Sequence, residues 1–360
     1  MPKPARITAW KQHWAMTRLT RRLFHTSATA AHANSASEAC SELLSRFSNA
    51  PVSTRSQRLD ANQLHLLSLT LHRTPTSSFK PPQNGTPIPP GYHLVYFTPA
   101  ILEPDLALDG TDRTVSPLSP FTRRMWAGGE LTWTQDASAL LRVGQVVHET
   151  TELVSAEPKK RASGGDMLLV SVRKTYANEE RGGGGGGAAA LIDTRSWVFQ
   201  REMEISPDDN NHHVQAHARP TTPTTTTRPE AKSLPEGRYQ RDLCQTDTTL
   251  FRFSALTFNA HKIHYLPEWC RRVEGHRNAV VHAPLNLIHM LDFWRDTARR
   301  GDVEAVPKRI AYRAMSPLYV GEPYRILLDK ADKGEDSEEG WKAEIWDSFG
   351  KQSMKGAIVD

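Results

Sequence analysis

The chain has 360 residues, 38% of them apolar, and a mean hydropathy of −0.54. That length admits two modest domains, and no run approaches the roughly eighteen apolar residues that a membrane-spanning helix needs. The net charge of +5 does not argue for nucleic acid, because residues 1–37 hold six Lys/Arg and no acid, which leaves the remainder near neutral.

In chain order, residues 1–37 are basic, acid-free and rich in Ser, Thr and Ala. This is the composition of a mitochondrial presequence, with Arg22-Leu23-Phe24-His25-Thr26-Ser27 as a candidate processing site. Leu clusters over 38–75 predict short helices, and the Pro-rich stretch 75–91 a loop. Tyr92 to Phe97 reads as a strand. Pro120 to Glu130 carries two arginines, Trp126 and then Gly128-Gly129, a pattern that allows close backbone approach. Arg123 or Arg124 beside it could meet phosphate or carboxylate.

Three alternating segments, Val143–Lys159, Met167–Asn178 and Leu191–Arg201, predict an antiparallel meander. Six glycines at 182–187 read as a hairpin loop, since no Lys-Ser/Thr follows to make a nucleotide site. Residues 203–244 read as a disordered linker rich in Pro and Thr, with His212-His213 as solvated histidines. Phe251 to Phe258 reads as a strand, and Pro284 opens a helix with an apolar stripe through Leu285, Ile288, Leu291 and Trp294. Further strands are predicted near 308–316, 323–330, 341–347 and 355–359. Leu141-Arg142-Val143-Gly144-Gln145 and Leu318-Tyr319-Val320-Gly321-Glu322 echo each other 177 residues apart, each ahead of a meander, as two copies of one fold would require.

The chemistry concentrates in Asn259-Ala260-His261-Lys262-Ile263-His264. Imidazole titrates near neutrality and suits acid/base work. The free N–H groups of the helix that opens near Ala283 can polarise a carbonyl oxygen. His261, His264, His276, His282 and His289 also raise a metal reading, but no Cys or carboxylate completes a ligand set at known spacing. Cys40, Cys244 and Cys270 are odd in number and far apart, which argues for a reducing compartment without a disulfide framework.

These residues resemble the MaoC-type hot-dog dehydratases and hydratases, in particular the fungal mitochondrial hydroxyacyl-thioester dehydratase type 2 group and relatives acting on mesaconyl-type CoA esters. The family pattern is a catalytic Asp, a His five residues on, and a Val-His-Gly turn opening the central helix. Asn259, His264 and Val281-His282-Ala283 stand at those places. Arg309 to Glu322 and Pro120 to Glu130 add to the likeness, which covers roughly 88–202 and 245–360.

The resemblance implies an α+β fold of two fused hot-dog domains, each an antiparallel sheet around a central helix, with the first copy (38–202) degenerate and the second (245–360) catalytic. It implies a hydro-lyase that reversibly dehydrates 3-hydroxyacyl thioesters to trans-2-enoyl thioesters, in mitochondrial fatty acid synthesis in the matrix. His264 would transfer the proton and Asn259 would position water or hydroxyl. The N–H of Ala283 would polarise the thioester. His282, His261, Arg124 and Trp126 would line the substrate pocket. No cofactor or metal is implied. The partner is acyl-CoA or an acyl carrier protein, which the basic residues Lys262, Arg271, Arg272 and Arg277 would suit, and a homodimer is left open. Two alternatives stand beside this reading: a hydratase of a dicarboxylic CoA ester, and a silent hot-dog protein that binds acyl carriers, motivated by Asn259 in place of Asp.

Overall fold

The computed structural model describes residues 32–73, 80–161, 164–178, 189–202, 234–331 and 340–360. The presequence segment through residue 31, the glycine run and the His212-His213 pair lie outside the described residues.

Among the described residues, ten antiparallel strands form one sheet in the order β1-β3-β4-β5-β2-β7-β10-β9-β8-β6. The first half contributes β1 (Ser53–Arg58), β2 (Arg123–Trp133), β3 (Val146–Lys160), β4 (Asp166–Asn178) and β5 (Leu191–Gln200). The second contributes β6 (Tyr239–Leu243), β7 (Arg309–Ala314), β8 (Tyr324–Lys330), β9 (Gly340–Asp347) and β10 (Gln352–Val359). Each half runs edge strand, then third, fourth, fifth and second strand, and the two copies meet where β2 pairs with β7. This is the double hot-dog architecture.

The helices are α1 (Ala36–Arg46), α2 (Ala61–Thr70), α3 (Asp247–Thr257), the single turn α4 (Pro267–Trp269) and the central α5 (Ala283–Ala298). Every residue of α5 from Leu285 to Arg295 is buried, so its stability comes from packing rather than propensity. α1 packs Ala36, Ala39, Cys40 and Leu43 into a separate cluster with Leu168, Val170 and Phe199.

The echo at 141–145 and 318–322 marks equivalent places. Gly144 and Gly321 both adopt positive φ, at 91° and 76°, and their N–H groups donate to Leu59 and Gln245, each just past the edge strand of its half. Ile88 N donates to Leu141 O as Val281 N donates to Leu318 O, and Val143 N to Thr86 O as Val320 N to Ala279 O. Pro89-Pro90-Gly91 therefore stands where the second half has His282-Ala283-Pro284. In place of a central helix the first half has one 3-10 turn, Tyr92–Val95, after Gly91 at φ 86°. A Cβ on Gly91 would lie 3.2 Å from Ile288 and 3.1 Å from Leu291 of α5, so the degenerate copy turns tightly against the helix of its sibling.

Three expectations are corrected. Phe251–Phe258 is not a strand but most of α3, because Thr246 caps Thr249 N and Asp247 sits in the first turn. Tyr92–Phe97 is the 3-10 turn just described. Residues 239–243, expected as linker, form β6 against β8.

The Gly128-Gly129 expectation of close approach is realised inside β2. A Cβ on Gly128 would fall 2.3 Å from Tyr312 O, and one on Gly129 2.1 Å from Thr194 O. β2 bulges between Trp126 and Gly128, and Trp126 packs half-buried against the core.

Candidate active site

A cavity of about 1730 Å3 opens between the two halves. α3 ends with Phe258 in the left-handed region at φ 50°, ψ 39°, and the chain reverses into a short turn. Asn259 accepts the His261 N–H on Oδ1 at 3.1 Å, an Asx turn that sets the 3-10 turn Lys262–His264.

His264 is buried, and its Nδ1 lies 2.7 Å from Val280 O. A carbonyl only accepts, so Nδ1 carries the hydrogen and Nε2 holds the free lone pair. Burial pushes its pKa down to about 4, against a partial lift from that hydrogen bond. The ring is therefore a neutral imidazole near pH 7, in the tautomer that makes Nε2 a base.

Two further histidines crowd it. His282 stacks on His264 and shares a hydrogen bond between Nε2 and Ser254 Oγ at 2.9 Å. His261 meets His264 edge-on, with centroids 5.5 Å apart, and its Nε2 stands 3.5 Å from Asp109 Oδ2. Burial first, and the neighbouring rings second, hold both well below the ordinary imidazole range.

Asp109 belongs to a loop of the first half that docks on this turn. Lys262 N donates to Asp109 O at 2.8 Å, and Gly110, at φ 83°, has no room for a Cβ against Ala260 O, 2.0 Å away.

His282 is the N-cap of α5 and caps nothing with its side chain. Ala283 at N1 has no acceptor within the helix, Pro284 has no N–H, and this end lines the cavity. The Ala283 N–H is thus a fixed donor with helix-dipole support. The first half has no such donor, because Pro90 stands at the equivalent place.

The cavity brings together Asn259, His261, His264, His282, Ala283, Arg124 and Trp126. Arg123 is not free; it is tied to Glu274. His276 also lines the cavity and pairs with Tyr319 Oη, whereas His289 pairs with Gln245 and is not among the lining residues. Of the expected basic rim, Arg272 and Arg277 are ion-paired to Glu268 and Glu322. Among the described residues no group of three His, Cys, Asp or Glu side chains could hold a metal ion.

Sequence reasoning missed Asp109, Ser254 and Asn286. Asn286 is buried one turn along α5 and lines the cavity with Oδ1 unpartnered. A lone amide in the run Leu285-Asn286-Leu287-Ile288 was its available signal. Asp109 and Ser254 had none, since only the tertiary fold sets them beside the histidines.

The sequence profile of the hydroxyacyl-thioester dehydratase type 2 family matches residues 91–320. The mesaconyl-C(4)-CoA hydratase of Chloroflexus aurantiacus is 27% identical over 68% of this chain and 76% of its own length. The mitochondrial hydroxyacyl-thioester dehydratase type 2 of Schizosaccharomyces pombe is 26% identical over 68% of this chain and 79% of its own. Among solved structures, a MaoC-like dehydratase from Phytophthora capsici superposes with a TM-score of 0.57 at 13% identity, covering 88% of this chain and 98% of that one. HtdX of Mycobacterium tuberculosis gives a TM-score of 0.53 at 13% identity, covering 85% and 99%. These likenesses bear on the fold alone.

Proposed function

Since this chain belongs to the hydroxyacyl-thioester dehydratase type 2 family, we propose that it interconverts 3-hydroxyacyl and trans-2-enoyl thioesters with His264 as the base. The observation that carries this is the tautomer: Nδ1–H is committed to Val280 O, which leaves Nε2 free in a cavity shared with the Ala283 N–H.

In the dehydration direction, His264 Nε2 takes the C2 proton. The charge moves onto the thioester oxygen, which the Ala283 N–H stabilises. The imidazolium then gives its proton to the C3 hydroxyl, which leaves as water while the C2–C3 double bond forms. Hydration is the reverse. A base held near pKa 4 is weak at rest, but the negative charge developing beside it raises its proton affinity during the step. Asn259 accepts one hydrogen bond on Oδ1, and its amide N–H donors are what can orient water or hydroxyl as acceptors.

The acid-free, basic segment 1–37 supports a matrix presequence. The proposed division is a degenerate hot-dog, a linker and a catalytic hot-dog, with CoA or an acyl carrier protein bearing the acyl group. That group would come from mitochondrial fatty acid synthesis or from a dicarboxylic acid, a choice that falls to the cavity wall. The test is loss of enoyl absorbance on incubation with crotonyl-CoA, with His264→Ala alongside. Loss that disappears in the variant supports the reading. Absence of turnover with crotonyl-CoA and with dicarboxylic and long-chain enoyl-CoA esters overturns it.

A further inference from the structure

The cavity wall donated by the non-catalytic half is largely apolar, with Leu94, Phe97, Leu169 and Val198 on it, but it also carries a cluster of charged side chains. Strands β3, β4 and β5 place Glu149, Lys174 and Arg195 on it, with Lys159 and Lys160 at the far end of β3. Lys174 Nζ lies 3.1 Å from Glu149 Oε1 and donates to Thr151 Oγ1 at 3.0 Å. Arg195 is bound to Asp193. Glu149 and Lys174 are buried and Arg195 is held by Asp193, so these charges are satisfied within the protein.

Next to it, β2 and β5 build an alternating ladder. The Arg124 guanidinium lies 5.5 Å from the Trp197 ring centroid, Trp197 meets Trp126 edge-on at 5.9 Å, and Arg195 lies 5.6 Å from the Trp126 ring. Register explains this: Trp126 and Trp197 are direct partners on β2 and β5, and the arginines sit two residues away on opposite strands.

Of the three cations Arg124, Lys174 and Arg195, only Arg124 has no ion pair among the described residues. Its one hydrogen bond is Nη1 to Asp112 O at 3.2 Å. Asp112 and Asp109 stand nearby, but each has an oxygen engaged by its own turn, at Thr114 and Thr111. Most of the five donors of Arg124 are therefore uncommitted, on a side chain held in place by an indole and a carbonyl. Asp112, which holds it, is on the same loop as Asp109, whose Oδ2 stands 3.5 Å from His261 Nε2, and Arg124 and His261 line one cavity, so Arg124 belongs to the reacting end. A pantetheine arm is many bonds long and keeps the phosphates of CoA away from that end.

We propose that this wall is a carboxylate subsite, and that the substrate is the monothioester of a short dicarboxylic acid whose free carboxylate is held by Arg124. This rests on the hydratase reading above and specifies its acyl group. The carboxylate would take the bidentate place that no protein acid among the described residues fills.

Crotonyl-CoA and the CoA monothioester of fumaric acid differ by methyl against carboxylate at one carbon, so the ratio of their kcat/KM values within one protein reads this subsite and cancels any loss of folded enzyme. The wild type should favour the fumaryl ester over both crotonyl-CoA and trans-2-decenoyl-CoA by about tenfold or more. In Arg124→Gln the ratio should fall by about 10- to 100-fold; Arg124→Lys, which keeps charge without the planar fork, should lie between. Turnover of crotonyl- or decenoyl-CoA without a fumaryl preference, or a ratio unmoved by Arg124→Gln, overturns the subsite and leaves the hydratase reading standing. Absence of turnover with all three esters in the wild type overturns both.

Discussion

The imidazole of His264 stacks on that of His282 with ring centroids 3.6 Å apart and planes 17° from parallel. Two rings in that relationship cannot both carry charge without strong repulsion, and both are buried. The acid limb of kcat/KM should therefore fall near pH 4, where burial places His264, and not near 6.5. A pH profile of the free enzyme with crotonyl-CoA measures it; a limb at 6 to 7 would show that the ring is better solvated than its surroundings allow.

Stability should depend on pH through the same burial. His264 and His289 are pushed down to about 4 and about 3 from an unfolded value of 6.5. Between those values the unfolded chain binds more protons than the folded one, so stability is complete above pH 6.5 and falls as pH drops toward 4. Each such ring contributes up to about 1.4 kcal/mol per pH unit in that window. Asp292, raised to about 6 by burial, acts in the opposite sense but is a single group. Thermal melts from pH 7.5 to 4.5 should show Tm falling steeply below 6.5.

Replacing Ala283 by Pro removes the N–H while sparing the helix. Proline is favoured at the first helical position, and His282 already has φ −61° and ψ 125°, as a residue before proline requires. The expected result is a loss of about 10²–10³ in kcat with Tm changed by only a few degrees. Ala283→Gly, which keeps the donor, should retain turnover.

Gly110 is a test of how the first half holds the reacting turn. A Cβ there would lie 2.0 Å from Ala260 O at a φ of 83°. Gly110→Ala must lift the loop and break the Lys262 N to Asp109 O bond. We expect a destabilisation of about 1–3 kcal/mol together with reduced kcat, measured by denaturant midpoint and crotonyl-CoA turnover.

Asn259 has a structural use for its Oδ1 that Asp can reproduce and Ala cannot. Asn259→Asp should keep activity, or raise it by adding a second base, while Asn259→Ala should lower kcat more than tenfold. Equal activity in the three proteins would remove Asn259 from the reaction.

Much of the architecture was readable because its signals are local. The meander strands β3 to β5 have alternating apolar residues, the strands of the second half have the same period, and α5 carries an apolar stripe behind Pro284. The edge strands β1 and β6 were invisible for an equally local reason. Ser53–Arg58 and Tyr239–Leu243 each alternate between half-buried and exposed positions without an apolar run, so nothing in their composition separates them from loop. The short apolar segment 251–258 was ambiguous by period alone, and its capping signal lay upstream at Thr246.

By itself the sequence determined the α+β doubling, the helix that Pro284 opens, and the pair Asn259 and His264 five residues apart. Tertiary structure alone decided what these can do. The tautomer of His264 depends on Val280 O, sixteen residues away, and the loop bearing Asp109 comes from the other half of the chain. The lack of a matching N–H donor in the first copy rests on a proline that only the pairing of Ile88 with Leu141 aligns with Ala283. The free guanidinium of Arg124 is distinguished from its neighbour Arg123 only by Glu274, 151 residues along the chain. In each case the deciding partner is distant in sequence, and a hydrogen bond or a charge acts over ångströms of space whatever the length of chain between.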